Sequence, residues 1–147
     1  MKKYKKLPSV GLVMTPFPYF VEAADTAVNI EQLMDKHDIR HIPVQRNGKV
    51  IGIVSERDLH QRVSRSTPDA VKAQIQAHEV MVSDPYVVPF DAPLNEVASE
   101  MGSRRIGSAI VLRHGKLVGI LSVTDVCRIL ADILSSEFPP TTRGDAA

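Results

Sequence analysis

Apolar positions along the chain fall into two kinds of run. Val28, Ile30, Leu33 and Met34, and again Leu94, Val97, Ala98 and Met101, keep the spacing of a short amphipathic helix. Ile42-Pro43-Val44, Val50 to Val54, Ala109 to Leu112 and Leu117 to Leu121 are nearly unbroken apolar stretches, short enough to read as strands. Tyr19-Phe20-Val21 and Tyr86-Val87-Val88 follow prolines and predict two more strands. Asp25-Thr26 and Asp91-Ala92-Pro93 signal helix starts, with Pro93 near the favoured first helical position. Asn47-Gly48 and His114-Gly115 predict hairpin turns, because glycine accepts the positive φ such turns require. Further helices begin at Glu56 and Val123, and a third is expected from Thr67-Pro68-Asp69 through about His78. Val126, Ile129, Leu130, Ile133 and Leu134 line one face of the last helix, which Phe138-Pro139-Pro140 ends.

These elements repeat. The chain matches itself at an offset of 67 residues, Asp125 minus Asp58. Val13-Met14 falls on Val80-Met81, Pro18-Tyr19 on Pro85-Tyr86, Met34 on Met101 and Ile39 on Ile106. The densest match lays Arg46 to Asp58 over Arg113 to Asp125. Near Asp25 and Asp91 the register slips by one, so the loops there differ in length. Each copy reads as a β-α-β-β-α unit, which makes the fold class α/β (α+β).

The candidate chemistry sits where the last strand of each unit meets its helix. Gly52-Ile53-Val54-Ser55-Glu56-Arg57-Asp58 and Gly119-Ile120-Leu121-Ser122-Val123-Thr124-Asp125 share the pattern Gly, two apolar residues, a hydroxyl, two variable positions and an Asp. A glycine at a strand end lets another group approach the backbone closely. A hydroxyl at a helix N-terminus lies among free N–H groups and a dipole that favour an anion such as phosphate. A carboxylate three residues on can accept two hydrogen bonds from the vicinal diol of a ribose. The combination suits a nucleotide. Ser-x-x-Asp is equally a capping box, in which both side chains satisfy helix N–H groups. The two roles can coexist, since capping leaves carboxylate lone pairs over.

Two units ending in this motif resemble a tandem pair of cystathionine-β-synthase (CBS) domains, a Bateman module. Val13-Met14-Thr15-Pro16, Val80-Met81-Val82, Ile39-Arg40-His41-Ile42-Pro43-Val44 and Val50-Ile51-Gly52-Ile53-Val54 carry the likeness further. It implies units at residues 8–64 and 80–134, a linker with a helical segment at 65–79 and a loose tail at 135–147. The units would pack through their sheets about a pseudo-twofold axis, leaving two clefts between them. Such modules bind AMP, ADP or ATP and, less often, S-adenosylmethionine or NAD, and commonly dimerise into a disc of four units. By position, Asp58 and Asp125 would hold ribose hydroxyls, and Ser55 and Ser122 ribose or phosphate. Tyr19, Val21, Tyr86 and Val88 would wall the adenine, and Arg40, His41, Arg57, Arg104 and Arg105 are phosphate candidates. The resemblance implies a regulatory sensor, not an enzyme, that signals to a target protein. The alternative is an interaction adaptor with vestigial pockets. The second unit lacks the proline that follows Ile42 and has Val82 where the first has Thr15, so the two clefts are chemically unequal.

Composition narrows the rest. With 44% apolar and 24% charged residues the chain is an ordinary globular sequence. A formal charge of +1 gives no reason to expect nucleic acid or a membrane surface as partner. No apolar run reaches the ~18 residues of a membrane span. The basic start, Met1 to Lys6, has no apolar stretch behind it and reads as a solvated tail, not a signal peptide. A single cysteine, Cys127, excludes an internal disulfide and fits a reducing, cytoplasmic setting; its apolar neighbours predict a buried, inert thiol. His37 and His41 stand four apart, but the chain turns to strand between them and no third metal ligand is near.

Overall fold

Two hairpins organise the chain. In the computed structural model, which describes residues 6–16 and 18–140, β3 (His41–Arg46) and β4 (Lys49–Ser55) pair antiparallel, as do β7 (Ser108–Arg113) and β8 (Lys116–Ser122). Asn47 and Gly48 have φ of 53° and 75°, and His114 and Gly115 have 53° and 76°, the double positive φ of the tightest hairpin turns. Both hairpins carry a register shift at the same repeat position, between Val44 and Gln45 and between Val111 and Leu112. A short parallel strand lies beside each: β2 (Val21–Glu22) on β3, and β6 (Val87–Pro89) on β7. These strands are shorter or later than the sequence predicts, because Tyr19, Phe20 and Tyr86 precede the ladders.

The crossover helices are α2 (Ala27–His37) and α6 (Leu94–Arg104). Thr26 caps α2 by accepting from the Asn29 N–H. Each helix ends on a left-handed residue, Asp38 and Arg105, which turns the chain into the next strand. The second helices are α3 (Glu56–Arg62) and α7 (Val123–Glu137), which begin where the sequence predicts.

Strand pairing does not follow the two halves of the chain. The short α1 (Val10–Val13) leads into β1 (Thr15–Pro16), which pairs antiparallel with β8. Likewise α5 (Ala77–Val80) leads into β5 (Val82–Ser83), which pairs with β4. The sheets are therefore β2-β3-β4-β5 and β1-β8-β7-β6, and each borrows its edge strand from the other repeat. The methionine before each borrowed strand explains the motif glycines. A Cβ on Gly52 would overlap the Met81 sulfur, and one on Gly119 the Met14 sulfur. The close approach that the glycines permit is made by a thioether of the exchanged segment, not by a ligand.

Each sheet covers its own core. Val21, Ile30, Met34, Ile42, Val44, Val54 and Leu59 fill one, and Val10, Val88, Val97, Ala109, Val111 and Leu121 the other. Pro43 and Ile110, equivalent in the repeat, point to the opposite sheet faces by strand alternation yet are fully buried, so those faces pack between the lobes.

The helix expected from residue 67 to 78 is two short ones, α4 (Asp69–Lys72) and α5. Gln76 between them is extended (φ −100°, ψ 156°) and bridges Thr26, while the Ile75 carbonyl accepts from the Ala27 N–H. Pairing to the start of α2 overrides the local helical preference. The Lys72 ammonium is buried, 2.7 Å from Glu31 Oε1, and Arg65 grips Asp35 at 2.8 Å. The linker is thereby fastened along α2. No helix of the described residues is long and apolar enough to cross a membrane. The expectations for residues 1–5 and 141–147 lie outside the described residues.

Candidate functional site

Both Ser-x-x-Asp motifs form complete capping boxes. Ser55 Oγ accepts from the Asp58 N–H at 3.0 Å, and Asp58 Oδ2 accepts from the Ser55 N–H at 3.2 Å and its hydroxyl at 2.7 Å. The second box repeats this with 3.2, 2.9 and 3.0 Å between Ser122 and Asp125. The first helical N–H is taken as well, Glu56 donating to the Arg40 carbonyl and Val123 to that of Gly107. Two of the first three amides of each helix are thus occupied, so the helix ends offer an anion less than the free N–H groups the sequence suggests. The capping bonds leave the second carboxylate oxygen of each Asp unused.

Asp125 borders the largest cavity described here, about 590 Å³. Its walls come from both lobes. The second repeat supplies Gly107, Ile120 and Ser122 to Asp125 with Arg128, the borrowed strand supplies Thr15, and the first repeat supplies Asp38 to His41. The Thr15 hydroxyl stands 3.4 Å from both oxygens of Asp125, and an Arg128 nitrogen 3.4 Å from Oδ1. These contacts are longer than ordinary hydrogen bonds, so the carboxylate keeps acceptor capacity facing the cavity. The volume lies within the usual range for small-ligand sites, ~300–1,000 Å³.

Ser55 and Arg57 line a smaller cavity of about 260 Å³ with Arg40, His41, Glu56 and His60. Arg40 and His41 therefore border both spaces. Arg40 reaches out over Glu56 at 3.8 Å and is largely exposed. His41 turns inward across the lobe interface, where its Nε2 lies 2.7 Å from the place a Cβ on Gly107 would occupy. Its pKa is lowered, first by burial and then by the Arg40 charge, while the Asp58 carboxylate pulls the other way.

The remaining candidates stand elsewhere. Val21 and Val88 are buried in the two cores. Tyr19 stacks on His37 with ring centroids 3.7 Å apart, and Tyr86 lies under the Arg104 guanidinium at 4.7 Å. None of Tyr19, Val21, Tyr86 and Val88 lines a cavity described here. Arg105 borders a third, mostly apolar space of about 420 Å³ between α6 and α7. Cys127 is exposed, against expectation. It lies on the outer side of α7, whose inner side presents Val126 and Ile129, and apolar neighbours in sequence do not imply a shared face. Thr15, Thr124 and Arg128 are site residues that the motif alone does not mark. Thr124 could have been taken from the motif's variable positions, but Thr15 comes close only through the strand exchange.

The CBS domain model matches residues 10–65 and 77–132. A Vibrio cholerae protein assigned to acetoin utilization (AcuB) is similar in structure, with a TM-score of 0.75 and 32% identity over 92% of this chain and 100% of that one. The CBS domain pair of protein MJ0100, in complex with 5′-methylthioadenosine and S-adenosyl-L-methionine, shares the fold at TM-score 0.74 and 20% identity, over 86% of this chain and 98% of that one. CBSX2 in complex with AMP shares it at TM-score 0.72 and 24% identity, over 86% and 98%. Among curated proteins, an inosine-5′-monophosphate dehydrogenase of Staphylococcus epidermidis is 27% identical over 133 residues, 88% of this chain and 24% of its own length. The chain thus spans about a quarter of that relative. Duplicated units, capping-box motifs and the matched family model agree, and the chain belongs to the CBS domain family as a tandem pair.

Proposed function

We propose that this CBS pair is a regulatory module that binds an adenosine-containing ligand, an adenine nucleotide by preference, in the cavity beside Asp125. The observation that carries the reading is the composition of that cavity: a buried carboxylate with open acceptor capacity, a threonine hydroxyl, and cations from two different repeats. A ribose diol matches the Asp125 carboxylate, and a 5′-phosphate matches the Arg40 and Arg128 guanidinium groups. Arginine suits this work because its planar fork grips phosphate oxygens in pairs. Adenosine compounds bound to other CBS pairs of the same fold support the class.

A ligand touching both lobes can signal by favouring the lobe arrangement that it binds better, and only to that extent. The readout would be a partner surface, either a second copy of the chain or a target protein. The exposed apolar residues Leu130, Leu134 and Phe138 on and after α7 are available for such a contact.

The test is a thermal-shift and calorimetry panel with AMP, ADP, ATP, S-adenosylmethionine and NAD, with GTP as control. A ligand at about 100 times its Kd adds roughly 2.7 kcal/mol of stability, several degrees for a chain of this size. A shift with one or more adenosine compounds and none with GTP is the expected result. A flat panel would overturn the reading and leave an adaptor.

A further inference from the structure

The repeat allows the two clefts to be compared position by position. In β1, Thr15 pairs with Ile120; in β5, Val82 pairs with Ile53. Ile120 and Ile53 are equivalent in the repeat, each two residues before the serine of its motif. Val82 therefore occupies, over Ser55 and Asp58, the place that Thr15 occupies over Ser122 and Asp125. One carboxylate faces a hydroxyl at 3.4 Å. At the equivalent position of the other unit stands an isopropyl group, which neither donates nor accepts.

The far walls differ too. Arg40 and His41, which close the Asp125 cavity, correspond to Gly107 and Ser108 in the other cleft. The missing side chain at Gly107 admits the His41 ring, whose Nε2 sits 2.7 Å from the would-be Cβ. The imidazole borders both cavities, and the cleft at Ser55 has no second ring or guanidinium at the equivalent far-wall positions, only Gly107 and Ser108. The cavity left at Ser55 is about 260 Å³ against about 590 Å³, and Asp58 is not among its lining residues.

We propose that the pair takes one adenosine ligand per chain, in the Asp125 cleft only, and that the Asp58 box serves as a helix cap without a ribose. The Thr15-to-Val82 difference, the Arg40-His41 wall that becomes Gly107-Ser108, and the two cavity volumes divide the two roles. The proposal rests on the adenosine reading above and sharpens it to one site.

Calorimetric titration of the full chain with AMP, repeated with ATP, tests it through Asp125→Asn and Asp58→Asn. Both variants keep an oxygen for the cap, and circular dichroism melts confirm that they fold. One site per chain is expected, with affinity at least 30-fold weaker in Asp125→Asn and within about 3-fold of the original in Asp58→Asn. Two sites per chain, or binding lost in Asp58→Asn and kept in Asp125→Asn, would overturn the proposal while leaving the adenosine reading intact. A wild-type chain silent to every adenosine compound would instead defeat the reading beneath it.

Discussion

His41 Nε2 lies 2.7 Å from where a Cβ on Gly107 would stand, a contact that joins the end of one repeat's crossover loop to the same loop of the other. The two loops are equivalent in the repeat, yet one carries an imidazole and the other the gap that receives it. Gly107→Ala should therefore push the ring out or part the lobes. Overpacking of this kind costs about 1–3 kcal/mol. Most of that loss should vanish in a His41→Ser background, where the ring is gone. Urea unfolding of the four chains in a double-mutant cycle measures it, and an undiminished loss in that background would show that the ring is not what the alanine meets.

Protonation of the same residue sets a pH dependence. Burial lowers the His41 pKa from its ordinary 6.5, so the folded chain binds fewer protons there than the unfolded chain. Its contribution to stability is fully present above 6.5 and is lost as the pH falls from there toward the folded value. Without ligand, the melting temperature should drop between pH 7.5 and 5.5, and drop less in His41→Gln. Equal slopes in the two chains would remove His41 from the account.

The capping boxes predict a stability loss independent of any ligand. Ser122→Ala deletes the acceptor for the Asp125 N–H and a donor to its carboxylate. A loss of about 1 kcal/mol is expected, read from the urea midpoint at constant m-value. Ser55→Ala should cost a similar amount, since its box has the same bonds.

Lys72 is 2% exposed and neutralises Glu31, one of whose oxygens, Oε2, is itself buried without a hydrogen-bond partner. Lys72→Met leaves that carboxylate alone, and removing one partner of a buried pair costs about 3–5 kcal/mol. Lys72→Met with Glu31→Leu should recover most of the loss. Thermal melts of the single and double variants decide it, and a mild single variant would mean that water already solvates the pair.

The sequence reveals local features and hides distant ones. Asn47-Gly48, His114-Gly115 and the two Ser-x-x-Asp boxes are each determined within a few residues, so turn and cap chemistry alone places them. The break at Gln76 is invisible because its cause, the bridge to Thr26, lies 50 residues away, 76 minus 26. Thr15 is legible as a repeat mark but not as a neighbour of Asp125, which requires knowing that β1 crosses to β8. His41 can be read as a candidate cation, but its burial against Gly107 depends on how two lobes meet. Half of the site's walls are local in sequence, and the other half are products of packing.

The exchange of edge strands also fixes an order of assembly. Among the described strands β1 is synthesised first, yet its partner β8 ends only at Ser122. The first lobe cannot complete its sheet until Val82 and Ser83 have emerged, by which point the second lobe is already begun. Neither half can be excised whole: a cut in the linker would strand each edge strand on the wrong fragment and leave two open sheet edges. Two such fragments should bind each other tightly, and β1, made earlier than every strand of the sheet it joins, is among the last to find its place.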